Sequence, residues 1–321
     1  MRSGQVVGLT TAQVRGLESD QVGWLGLGAL RALNTAQVRA LASHQVGGFG
    51  SEQLRALSGV QVGVISSGAV AGFATEQIAA LGSVQVAGLV SAQMRAMSGE
   101  QLGAIDVGVI ARIGTGALAG LSSAQVGSLL VDQVGALSSV QVGGLVTGQL
   151  RGMMAEQVGA LSLGAVRVLS SVQIGSLLSD QVGGFGSEQL RALSGAQIGV
   201  VSSGALAGLR VDQVEALGSV QVAGLQASQV RVLSQDQVAA LSTEALRGLG
   251  VLAIGGLQSA QVGGLEFAQV GALSAAQLAG VTSSAMRGMA PWDVAALSSA
   301  QVAGLQSGQL GVLSGDQVGA V

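Results

Sequence analysis

An apolar residue stands at every eighth position of this 321-residue chain, from Met1, Leu9 and Leu17 to Leu313 and Val321, without one insertion or deletion. A continuous helix brings a face round every ~3.6 residues and a strand every ~2, so neither keeps an eight-residue period on one face. The chain must turn within each block. The sixth position is as strict as the first, running Val6, Val14, Val22 and Leu30 onward to Val318 with only Val, Leu, Ile or Met. Thirty of the forty fifth positions are Gln, and the seventh and eighth are mostly Gly or Ala, with Arg recurring at the seventh. One unbroken register predicts a single array over 1–321, in place of the two domains that length alone suggests.

Within a block the polar residues are placed as in a very short helix. Ser-x-x-Gln, as in Ser122 to Gln125 and Ser138 to Gln141, is a capping box in which Ser accepts from the N3 amide and Gln reaches back to the cap amide. Leu before the Ser and Val after the Gln then form a hydrophobic staple. Twelve of the seventeen acids, Asp20, Glu52, Glu100 and Asp180 among them, sit at the fourth position, and eleven of the fourteen Arg, including Arg15, Arg55, Arg191 and Arg247, at the seventh. That order complements a helix dipole. The only proline, Pro291, lies at the third position, which would be N1, where proline is favoured. Glycine at the breaks permits positive φ and close backbone approach. Because Ser or Thr is commoner at the third position than at the second, helix starts are expected to slide by a residue or two.

These features predict an all-α repeat solenoid of very short helices, one per block, held by stacking of Leu and Val between coils. The alternative is a β-solenoid with Leu and Val inward and Gln in ladders. Against it stand the absence of strict alternation, the few aromatics, and the abundance of Ala, Gln and Leu.

A longer period overlies the short one. "SHQVGGFGSEQLRALSGVQVGVISSGAVAGF" from Ser43 returns as "SDQVGGFGSEQLRALSGAQIGVVSSGALAGL" from Ser179, an offset of 136 residues. The array therefore reads as a duplication, 9–144 and 145–280, with a partial third copy at 281–321. Fifth positions become apolar at Ala29, Ala69 and Val109, then at Ala165, Ala205, Ala245 and Ala285, with 40-residue steps inside each run; Arg15, Arg55 and Arg95, then Arg151, Arg191 and Arg231, follow the same step. The expectation is that five blocks make a whole number of turns and bring each set onto one side.

Chemistry-bearing residues are sparse. The chain has no Cys, Tyr or Lys and one His, so disulfide and thiol chemistry are excluded. His44 reads as a surface substitution, and with no second His or Cys a zinc site is not expected. Glu52 with Arg55, Glu188 with Arg191, and Glu244 with Arg247 read as i,i+3 surface pairs. No Ser lies in a nucleophile elbow with a matching base, and "GGFG" at 47–50 and 183–186 is the small pair beside Phe49 or Phe185, since no Lys follows as in a phosphate loop. Trp24 and Trp292 stand where small or variable residues are normal and read as surface or terminal fillers, with a contact point as the alternative. No catalytic, cofactor-binding or metal residues are assigned, and no enzyme activity or cofactor is expected. Fourteen Arg against seventeen acids give no reason to expect nucleic acid, and no apolar run is long enough to cross a membrane.

The phrases "LSSAQV" and "LTTAQV" resemble the Ala- and Gln-rich octapeptide stretches of large secreted or surface-associated bacterial proteins of adhesin or haemagglutinin type. The resemblance implies a cell-surface or extracellular place; the in-register start "MRSGQVVGL" shows no signal peptide, and a chain complete as given would be cytoplasmic. The expected function is a non-enzymatic rod, stalk or adhesive spacer that associates with itself end to end or laterally, or with flanking domains. The alternative is a scaffold binding a protein or peptide along its surface.

Overall fold

The computed structural model describes residues 3–320. These residues form forty helices and no strand, so the β-solenoid alternative is set aside. Helix α1 spans Ser3–Val7 and α40 spans Gly315–Val318, with one helix per block between them.

The helix start does not slide. Every assigned N-cap is a second-position residue in extended conformation, as at Thr10, Glu18, Gly26 and Asn34. The third-position Ser or Thr is simply N1. Where the cap has a hydroxyl and N3 is Gln the full box forms: Gln61 N–H donates to Ser58 Oγ at 3.2 Å, and Ser58 N–H donates to Gln61 Oε1 at 2.8 Å. Where the cap is Gly50, only the Gln half remains, with Gly50 N–H donating to Gln53 Oε1 at 2.9 Å. Glutamine therefore closes a block whether or not serine opens it. Pro291 occupies the first turn of its helix, Pro291–Ala295, as expected.

Helix ends differ from the expectation. No glycine among the described residues has positive φ. The chain leaves the helix through a right-handed C-cap, as at Gly16 with φ −84° and ψ 0°, and the next Leu amide closes a tight turn, Leu17 to Val14 O at 3.3 Å. Glycine serves the other expected purpose, close backbone approach, and does so between coils. A Cβ on Gly88 would overlap the Gly59 carbonyl, and one on Gly224 would overlap that of Gly195.

Each helix packs on the helix three blocks away. In the first unit α9 (Ser67–Ala71) meets α12 (Ser91–Ala96), and in the second α28 (Ser219–Val222) meets α31 (Thr243–Gly248). First- and sixth-position residues supply the core; Val38, Val46, Leu54 and Leu102 have no exposed surface. Contacts divide the chain into two units, Met1–Val168 and Leu169–Val321, each built in this way.

Side-chain bonds to the adjacent coil run 25 residues forward, as from Ser43 to Gly68, and 28 to 31 residues back, as from Gln61 to Leu33 and Leu30. One turn thus takes between three and four blocks. Five blocks are more than one turn and fewer than two, so the 40-residue step of Ala29, Ala69 and Val109 aligns nothing along the coil axis. Ala29 and Ala69 are buried, but so are most of the Gln at this position. The geometric reading of the five-block period fails, and common ancestry is left as its explanation.

Candidate functional site

The most elaborate polar arrangement in the protein is the fifth-position Gln, and it is buried. Gln133 has no exposed surface, and Gln93 and Gln157 are 1 % exposed. A buried amide must find partners for both ends, and these do. Gln133 Oε1 accepts from Leu130 N–H at 2.9 Å, while its Nε2 donates to Leu102 O at 2.9 Å and Ile105 O at 2.7 Å, on the previous coil. Gln93 repeats the set with Val90 N–H, Val62 O and Ile65 O at 3.0, 2.7 and 2.8 Å. In the second unit Gln261 does so with Gln258 N–H, Val230 O and Leu233 O at 2.7, 2.9 and 2.6 Å. One side chain thereby starts its own helix and staples it to the end of one helix and the start of the next below. Sequence reasoning found the first half only. The signal for the second was present: Gln persists where the cap is Gly50, Val90 or Met154, and a local capping box does not need such constancy.

Arginine also serves the coil stack. Arg55 Nε donates to Ala80 O at 3.0 Å, Arg191 Nε to Ala216 O at 3.0 Å and Arg95 Nε to Gly120 O at 3.4 Å, each 25 residues on. Of the three expected surface pairs only Glu188 with Arg191 forms, at 3.8 Å. Glu52–Arg55 and Glu244–Arg247 do not pair, and Arg55 turns away to the next coil's carbonyl. A pair the sequence reading missed joins Arg210 Nε to Asp212 Oδ1 at 3.1 Å, and that hydrogen bond holds the Asp212 carboxyl below its ordinary value.

Acids at the fourth position line up along the coils. Glu52, Glu76 and Glu100 are 24 residues apart on α7 (Ser51–Ala56), α10 (Thr75–Ala79) and α13 (Gly99–Gly103), which contact one another in that order. Glu188, Asp212 and Asp236 repeat this on α24 (Ser187–Ala192), α27 (Val211–Glu215) and α30 (Gln235–Ala239). All six are exposed.

The residues weighed for chemistry stay apart. His44 is exposed; Trp24 and Trp292 are 78 % and 69 % exposed, whereas Phe49 and Phe185 are buried first-position anchors. Among the described residues no three His, Cys, Asp or Glu side chains gather as metal ligands, and no helix is long and apolar enough to cross a membrane. An open groove of about 650 Å³ holds Arg31 and Arg55 beside Asn34 and Ser58, but the Arg55 Nε is committed to Ala80.

Two stretches of the chain, residues 28–59 and 286–321, match the model of the ALTTAQ repeat. Both lie within the array of blocks described above. The chain is a helical repeat protein. No curated protein sequence matches it.

Proposed function

We propose that this protein is a non-enzymatic structural element, a rod, stalk or adhesive spacer whose length is set by the number of blocks and which associates end to end with further coils of its own kind. The observation that carries the reading is the Gln staple, which within each unit binds a coil to the one before it through the same backbone carbonyls and leaves new coils free to be added in the same register. Gln13 and Gln21 are exposed and make only the local half of the bond set, to Thr10 and Glu18. At the opposite extreme the anchors Leu310 and Val318 are 44 % and 53 % exposed. Unused amides at one end and uncovered anchors at the other are complementary, whether the neighbouring coil comes from a continuing repeat or from a second copy.

Sedimentation velocity over a wide concentration range, with small-angle scattering on the same samples, tests this. Concentration-dependent growth in length at constant cross-section is expected. A monomer at every concentration, with a compact scattering profile, refutes it. The scaffold reading has one observation in its favour, a shallow groove of about 480 Å³ lined by Val60, Val64, Val84 and Val90.

A further inference from the structure

One block departs from the pattern in a way that unbalances its hydrogen bonds. At the fifth position of α37 (Pro291–Ala295) stands Asp293, 1 % exposed, in place of Gln. Its Oδ2 takes over the capping half of the Gln role, accepting from Ala290 N–H at 3.0 Å. Its Oδ1 is buried with no partner. In the Gln blocks the second polar atom is an amide nitrogen that donates to the carbonyl 28 residues earlier, as Gln261 does to Leu233 and Gln301 to Leu273. For Asp293 that carbonyl is Leu265 O, which receives no other hydrogen bond. Two buried acceptors therefore stand where the stapled Gln blocks have a donor and an acceptor.

We propose that Asp293 is held in the folded chain as the neutral carboxylic acid, its Oδ1–H replacing the missing amide against the Leu265 carbonyl, so that a proton locks this coil and its departure loosens it. A carboxylate at that place would set a full negative charge against a carbonyl dipole with no compensating donor, which is among the more costly arrangements inside a protein. Burial raises the proton affinity of Asp293, and the Ala290 N–H bond opposes that only in part. The elements packed on α37 are α34 (Phe267–Ala272) and α40 (Gly315–Val318). Their charged groups are Glu266 at the α34 cap and Asp316 on α40, both exposed acids and neither a counter-charge; Arg287, before α37, is exposed and forms no ion pair with Asp293. No cation is provided for an ionised Asp293.

The sign follows from linkage. A carboxyl whose proton is held more tightly folded than unfolded contributes stability below its ordinary value, about pH 3.9, and loses it as pH rises through the folded value. Between those two values the local opening constant of α37 and α40 should rise about tenfold per pH unit. The test is amide hydrogen exchange of the intact chain across that range, beside a carbon-detected NMR titration of the Asp293 carboxyl. Asp293→Asn and Asp293→Gln each supply a permanent donor, so both should abolish the pH dependence and at neutral pH protect these helices at least tenfold more than the parent chain. Asp293→Gln restores the common block and keeps the comparison if the Asn variant packs poorly. A carboxyl that titrates at or below the ordinary value, or parent protection that does not change with pH, overturns the proposal; a water bridging the two acceptors would then fill the gap.

Discussion

Replacing Gln133 with alanine isolates the inter-coil staple from the capping box. The side chain has no exposed surface and bonds to Leu130 N–H, Leu102 O, Gly103 O and Ile105 O. After truncation Leu102 O keeps the turn bond from Ile105 N–H at 3.2 Å. Ile105 O and Leu130 N–H lose their only partners. An unsatisfied buried group costs about 1–3 kcal/mol, and the emptied volume adds to it, while Leu130 N–H lies near enough to the surface to recover part of its loss in water. The sum is about 2–4 kcal/mol, or an opening constant of α14 (Val107–Ile110) and α17 (Val131–Gly135) raised between about thirtyfold and about a thousandfold. Gln21→Ala is the control, because exposed Gln21 bonds only to Glu18 N–H, at 2.9 Å, and should cost about 1 kcal/mol or less. Native-state hydrogen exchange reads both locally, which suits an array that opens in parts. Gln133→Glu sharpens the reasoning: it keeps the cap acceptor but turns the donor into a second acceptor. It should be at least as damaging as alanine at neutral pH and recover as the pH falls, whereas Gln133→Ala should not recover. If Gln133→Ala perturbs the protein no more than Gln21→Ala, the staple contributes nothing beyond the cap.

Glycines divide by what surrounds them. Gly224→Ala would drive a Cβ into the Gly195 carbonyl and should lower the thermal midpoint sharply, whereas Gly148, helical with nothing near its Cβ position, should gain up to about 1 kcal/mol as alanine; equal effects would refute the coil-contact role. The acidic column Glu52–Glu76–Glu100, whose members form no ion pair among the described residues, predicts that raising salt from about 0.01 M to about 0.15 M, which shortens the screening length from about 30 Å to about 8 Å, stabilises α7, α10 and α13, read by local hydrogen exchange; a loss of protection there would contradict the stacked placement. Arg210→Gln should raise the Asp212 carboxyl toward its ordinary value, read by NMR titration, because that depression rests first on the Arg210 hydrogen bond. In the parent chain this pair's contribution is present above the unfolded Asp value and is lost as pH falls through the folded one.

Much of the fold is legible in the sequence because each block carries its own local instructions. Ser58, Gln61 and Val62 name the cap, the box and the staple without reference to any other coil, and Pro291 marks a first turn. The relation between coils is not legible, since the offsets of 25, 28 and 31 residues set by Arg55, Gln61 and their acceptors are not multiples of eight. No periodicity in the sequence displays them, and the five-block recurrence of Ala29 and Ala69 therefore misled. The glycines were legible in part: the expected positive φ does not occur, the expected close approach does, and which backbones meet, as at Gly59 and Gly88, is fixed only once the coils have stacked. Arg55 could be seen at the end of a helix, but its acceptor on the next coil could not.

The pitch of the coil is the central claim, and a cysteine-free chain allows it to be measured by cross-linking. Val60 and Val84, 24 residues apart on α8 (Gly59–Gly63) and α11 (Ser83–Ala87), line one groove and are exposed. Glu100 is also exposed and lies 40 residues from Val60. A short thiol-reactive bridge should join the Val60→Cys, Val84→Cys pair rapidly within one chain and leave the Val60→Cys, Glu100→Cys pair unjoined. Joining of the second pair in preference to the first would contradict a turn of between three and four blocks, and with it the glutamine staple that defines the structure.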